Sequence, residues 1–144
     1  VVLRPSGRWR GEDDEWYVGA IVRPATEAEY RPIVDAAAAR ERAAKATAAL
    51  VAAVQAAHDG DAHRAYCPAD AGAESALVQG NLAYSHTLHF GADRVWYTES
   101  SYDDAGRTWT APLTPALRAC VDEYRAARAP VYDAARALAA STSD

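Results

Sequence analysis

The spacing of apolar and polar positions changes period several times along this 144-residue chain. Residues 82–90, 93–101 and 107–112 are short runs rich in aromatic and β-branched side chains. Gly91-Ala92 separates the first pair and Tyr102-Asp-Asp-Ala-Gly106 the second, the pattern of three consecutive antiparallel strands. Gly91 suits the first central position of a type II′ turn, whose twist matches that of the strands it joins. Residues 16–22 alternate Trp16, Val18, Ala20 and Val22 against Tyr17, Gly19 and Ile21, apolar on both faces, and Pro24 ends the run. They read as a fourth, central strand.

Helical spacing occupies the rest. Thr26-Glu-Ala-Glu29 is a capping-box signature. Pro32 follows it closely, which predicts a single turn and then a long helix with Pro32 at its first position. That helix should run to about Ala57, roughly 39 Å, and stop at His58-Asp-Gly60. Ile33, Ala37, Leu50, Val51 and Val54 mark its apolar stripe, whose middle offers only alanine. Thr114-Pro115 opens a second helix, with Leu117, Val121, Tyr124, Val131 and Leu138 on one stripe and Arg128 and Ala135 filling it. Pro130 should kink that helix. Between these parts, 65–68 reads as a short strand, and 70–78 as a short helix ended by Gly80 or a loop. The expected fold is α+β in a single domain over 1–144. Its antiparallel sheet of about four strands, one N-terminal strand plus the meander, packs on a long central helix and a kinked C-terminal helix.

Composition sharpens this. Hydrophobic residues make up 50%, yet with one Phe and no Met the core volume must come from Leu, Val, Trp and Tyr. Eight Tyr and four Trp bring polar handles that need partners where they are buried. The net charge of −5 disfavours a nucleic-acid partner, whose binding rests on phosphate neutralisation. Arg4, Arg8 and Arg10 around Trp9 nonetheless form a basic stretch. Residues 1–11 are expected to be a flexible terminus of irregular backbone; the alternative is an arm that enters a minor groove through arginine, which the acids of 12–15 weaken. No apolar run approaches the ~20 residues of a membrane span. Two cysteines, Cys67 and Cys120, are too few for a disulfide framework and point to a reducing, cytoplasmic setting. The Ala, Arg and Asp bias, with Lys45 the only lysine, is typical of GC-rich genomes.

Candidate chemistry lies mainly in the meander. Pairing outward from a Gly91-Ala92 turn sets His86 opposite Tyr97, Tyr84 opposite Glu99 and Leu88 opposite Val95, all on one face. Tyr84, His86, Tyr97 and Glu99 then gather two phenols, an imidazole and a carboxylate. Glu99 could orient His86 as an acid/base pair, or the group could be a satisfied polar network at the core. Trp96 and His89 share the other face. His58, Asp61, His63 and Cys67 include metal-ligand types in a turn, but in none of the usual zinc or calcium spacings. No metal or other cofactor is implied. Phosphate-loop, nucleophile-elbow and zincin motifs are absent.

Asp104-Ala-Gly106-Arg-Thr108-Trp109 resembles the Asp-x-Gly-x-Thr-Trp core of the Asp-box hairpin, a motif repeated in sialidase-type propeller blades. The family pattern opens with Ser two residues before the Asp, where this chain has Tyr102. The resemblance implies that the Asp104 side chain ties down turn amides, that Gly106 takes a positive φ and that Trp109 packs beneath. It covers about a dozen residues and occurs once, without the repeated blades of a propeller, so it marks a hairpin and not sialidase activity. The leading expectation is a non-catalytic binding or assembly module. It would self-associate or bind a protein partner through Trp96, Trp109 and His89 on the sheet and through the alanine-rich helices. The alternatives are a nucleic-acid-associated regulator using the arginine arm, and a small enzyme using His86 and Glu99.

Overall fold

The computed structural model describes residues 2–10, 15–65, 67, 74–80, 83–101 and 104–141. The elements in order are β1 (Val2–Arg10), β2 (Glu15–Arg23), α1 (Glu27–Ala56), β3 (Glu74–Gly80), β4 (Tyr84–Phe90), β5 (Arg94–Ser101), β6 (Asp104–Pro112) and α2 (Pro115–Ser141). The fold is α+β, with a four-stranded antiparallel meander in the order β3-β4-β5-β6 packed against two helices. The chain divides into two compact units, Val1–Ala38 with Asp133–Asp144, and Ala39–Tyr132.

In the first unit β1 and β2 form their own two-stranded antiparallel sheet. The expected irregular arm is therefore a strand. Arg4 pairs with Ala20, Arg8 with Tyr17, Trp9 with Trp16 and Arg10 with Glu15, with an irregularity between Pro5 and Gly7. Proline and glycine had argued against a strand here; the irregularity at Pro5/Gly7 is how the strand admits them. The N-terminal strand is correspondingly not the fourth strand of the meander. One half of the predicted capping box forms at the start of α1, from the Glu29 carboxylate back to Thr26, while the Thr26 hydroxyl donates to that carboxylate at 3.0 Å rather than accepting from the Glu29 amide. The Thr26 amide donates to Glu29 Oε2 at 2.9 Å, and the Glu29 amide to the Thr26 carbonyl at 3.1 Å. Arg23 grips the same carboxylate with both guanidinium nitrogens, at 2.6 and 2.8 Å. That hydrogen bond, with those from Thr26, holds the Glu29 carboxyl down to about 2. With its first turn secured, α1 starts at Glu27 and carries Pro32 inside it, so no separate turn precedes it.

The second unit holds the meander. Its fourth strand is β3, in the stretch expected to be a helix or loop. Val78 packs against the core, and a register shift falls between Leu77 and Gln79. Residues 68–73, part of the same expectation, lie outside the described residues. Leu88, Phe90, Val95, Tyr97 and Ala111 from the sheet meet Leu50 and Val54 of α1 and Leu117, Val121 and Tyr124 of α2. Leu50, Val54, Leu88 and Val95 are wholly buried, each contributing about 1.5–3 kcal/mol of apolar transfer. Along α1 the buried positions are Ala36, Ala39, Ala46, Leu50 and Val54. Leu50 and Val54 are buried as expected, whereas nearer the start of α1 the buried positions are Ala36 and Ala39, and Ile33 and Ala37 face outward. Ala36, Ala39 and Ala46 are buried within the single chain, while Ala37, Ala44, Ala48 and Ala49 are exposed. α2 opens as expected, with the Leu117 amide donating to Thr114 Oγ1 at 3.2 Å, and it remains helical through Pro130.

β6 begins at Asp104, so residues 104–106, read as turn, belong to the strand. Tyr102, Asp103 and the Asp104 side chain lie outside the described residues. Gly106 has φ 76° beside a register irregularity between Glu99 and Ser101. A Cβ there would sit 2.5 Å from the Glu99 carbonyl oxygen and 3.3 Å from Ser100 Cα. Gly106→Ala is expected to destabilise the fold by about 1–3 kcal/mol through the strained φ and the backbone clash. Urea unfolding with unchanged slope and a lowered midpoint would show it; an unchanged midpoint would contradict this account.

Candidate functional site

Strand alternation gives the meander two different faces. Tyr84, His86, Leu88 and Phe90 of β4 lie beside Val95, Tyr97 and Glu99 of β5 and Ala111, Trp109 and Arg107 of β6. The helices bury one end of this face. Its other end is polar, and a cavity of about 190 Å³ opens there, lined by Tyr84, His86, Glu99, Ser100, Ser101, Gly106 and Arg107.

The register differs from the expected one by two residues. The Gly91 amide donates to the Arg94 carbonyl at 2.9 Å, placing Ala92 and Asp93 at the centre of the turn, and Gly91 has no positive φ. His86 therefore faces Glu99, Tyr84 faces Ser101, and Leu88 faces Tyr97. A two-residue slip preserves faces, so the four expected residues still share a surface, with His86 now directly across from Glu99.

His86 and Glu99 nevertheless meet through a third group. The Tyr97 hydroxyl lies 3.0 Å from Glu99 Oε1 and 3.2 Å from His86 Nδ1. An ionised carboxylate only accepts, so the phenol spends its one proton on Glu99 and accepts from His86 Nδ1–H. In the neutral ring this ordering places the proton on Nδ1 and leaves Nε2 as the accepting nitrogen. The Tyr97 ring, 3% exposed, stacks on Trp109 at 5.5 Å and meets the His86 edge at 6.1 Å. Tyr84 lies 5.5 Å from His86 on the other side. Burial first, then the hydrogen bond and charge of Glu99, push the Tyr97 phenol up to about 12.

The other candidates are placed elsewhere. Trp96 is buried, at 8% exposure, and Trp109 packs against the core, so neither is an open aromatic platform. His89 is half-buried and its imidazole is pushed down by burial. His58 serves β6: its Nδ1 accepts from the Thr110 amide at 2.9 Å. The Asp59 amide donates to the Thr110 carbonyl at 3.2 Å, and the Thr108 amide to the Ala62 carbonyl at 2.8 Å. Asp61 accepts from the His63 amide at 2.9 Å, a local turn contact. Burial pushes the Cys67 thiol up. Among the described residues no three His, Cys, Asp or Glu side chains converge on a possible metal position, and no helix is long and apolar enough to cross a membrane. Sequence reasoning missed Arg107, read only as the start of a strand; its pairing with Glu99 across β5 and β6 brings it to the cavity. No family model, curated protein or solved structure matches the chain.

For a phenol whose folded pKa is raised, the stabilisation is fully present below the unfolded value of about 10. It is lost as pH rises through about 12. Ultraviolet titration of tyrosinate should show a component near 12 that Tyr97→Phe removes. Glu99→Gln should lower it only part of the way, since burial is the larger cause. A Tyr97 component at the ordinary value would contradict the hydrogen-bonded, buried phenol.

Proposed function

We propose that the chain is a non-catalytic binding module whose ligand site is the polar end of the sheet's helix-covered face. The observation that carries this reading is the bridge from His86 through Tyr97 to Glu99. Its members restrain one another, and the phenol at its centre is anchored by a ring packed on Trp109. Such an arrangement presents a preorganised set of acceptors, the Glu99 carboxylate and His86 Nε2, at little further entropic cost. The cavity, about 190 Å³, suits a single side-chain-sized group. A donor-bearing group such as an ammonium, presented by a protein partner, matches those acceptors. Arg107 at the rim would favour partners with an acid next to that group.

Catalysis has one observation in its favour, the tautomer-fixing bridge behind His86, which is how a general base is oriented. Two features weigh against it. A phenol held near 12 is a poor proton relay at neutral pH, and Ser100 Oγ is engaged with Ser85 Oγ at 2.7 Å rather than with His86. The nucleic-acid reading is supported less, because the net charge is −5 and the arginine-bearing segment is strand β1 rather than the irregular arm that reading began from.

Titration with methylammonium, acetate and neutral methanol, followed by the His86 ring resonances, tests the proposal. Methylammonium should shift His86 more than it shifts the exposed His63, and Glu99→Gln should abolish the difference. Equal responses at His86 and His63, or a stronger response to acetate, would overturn it.

A further inference from the structure

Beside the edge strand β3, a groove of about 430 Å³ is lined by Glu74 and Ser75 of β3 and by Tyr124, Arg125, Arg128 and Tyr132 of α2. Tyr124, Arg128 and Tyr132 stand four residues apart on one helical face, so their side chains meet. Arg128 donates from Nη1 to the Tyr124 hydroxyl at 2.7 Å and from Nη2 to the Tyr132 hydroxyl at 3.1 Å. Its guanidinium also lies over the Tyr124 ring, 5.3 Å from the centroid.

Donor accounting gives this cluster its character. A guanidinium has five N–H donors and no acceptor; two are used here, and both go to neutral phenols. Each phenol accepts from Arg128, so each keeps its own O–H proton to donate. Burial favours the protonated Tyr124 phenol, with the Arg128 charge opposing it. Tyr124 is 2% exposed, so its hydroxyl is a buried donor aimed into a polar cluster, whereas Tyr132 is 57% exposed. Arg128 has no carboxylate partner among the described residues. The neighbouring Arg125 is matched by Glu74 at 2.6 Å and lies over Phe90. The groove thus carries one net positive charge, surplus donors and aromatic walls.

We propose that this groove is a binding site for an organic monocarboxylate, whose two oxygens meet the Arg128 fork and the Tyr124 and Tyr132 hydroxyls. A single net charge matches a monoanion better than a phosphate dianion. The planar guanidinium, lying over the Tyr124 ring, presents the kind of paired donors a carboxylate accepts in bidentate fashion. The Tyr132 ring and Ala129 would cover an apolar body, for which the volume leaves room. This site is separate from the His86 cavity and does not depend on its reading.

Benzoate, inorganic phosphate and benzyl alcohol are the probes, titrated against the arginine Nε–H resonances of the full chain. Benzoate should shift Arg128 saturably, benzyl alcohol should not, and phosphate should bind more weakly. Arg128→Lys, which keeps the charge and loses the fork, should weaken benzoate about tenfold. Tyr132→Phe alters an exposed hydroxyl without threatening the fold and should weaken it about threefold. Equal binding of benzyl alcohol, tighter binding of phosphate, or a Tyr132→Phe variant with unchanged affinity would overturn the proposal. So would the absence of a saturable benzoate shift, which would leave the cluster as a self-satisfied ladder on the helix surface.

Discussion

Tyr97 belongs to both halves of the meander's covered face, and the arrangement around it depends on that dual membership. Its ring is buried among apolar side chains and stacked on Trp109, while its hydroxyl bridges His86 and Glu99. A buried phenol without a partner would cost about 1–3 kcal/mol in unmet hydrogen bonding. The polar group at the open end of the face therefore relieves a demand set up by the core. The same packing that fixes the ring fixes the position of the oxygen, and through it the imidazole tautomer. Core and cavity are two ends of one side chain.

The two edges of the sheet are handled differently. Residues after α1 lie along the outer edge of β6, with His58, Asp59 and Ala62 bonded to Thr110 and Thr108, and with Arg94 pairing with Asp59. That satisfies backbone groups that an edge strand would otherwise present to other chains. Beside β3 there is instead a donor-rich groove, with Glu74 committed to Arg125. Charge and aromatic surface are thus concentrated at one edge, and the opposite edge is closed by the chain's own backbone.

How much of this was legible in the sequence follows from what each residue pattern encodes. Period-two alternation assigned Tyr84, His86, Tyr97 and Glu99 to one face, and a two-residue error in register could not move them off it. Their partners were misassigned because Gly91 was given a positive φ that it does not adopt. Strand β3 was missed because Ala, Gln and Gly are weak strand formers; its pairing with β4 is a tertiary effect. Strand β1 was hidden by Pro5, Gly7 and its arginines, though it needed only β2 to pair with. Arg128 was read as filler in an apolar stripe, whereas the four-residue steps from Tyr124 to Arg128 to Tyr132 were a readable signal. The bridging role of Tyr97 was not readable at all, since it depends on side-chain distances that alternation does not contain.

The most direct measurement is a double-mutant cycle between Tyr97→Phe and Glu99→Ala, read by urea unfolding. Tyr97→Phe keeps the ring on Trp109 and removes only the bridging oxygen. If the hydroxyl is committed to the carboxylate, the two changes should be non-additive by about 1–2 kcal/mol, since either one alone breaks the same bond. Additivity within error would mean that the phenol and the carboxylate act independently, and that the core does not organise the cavity.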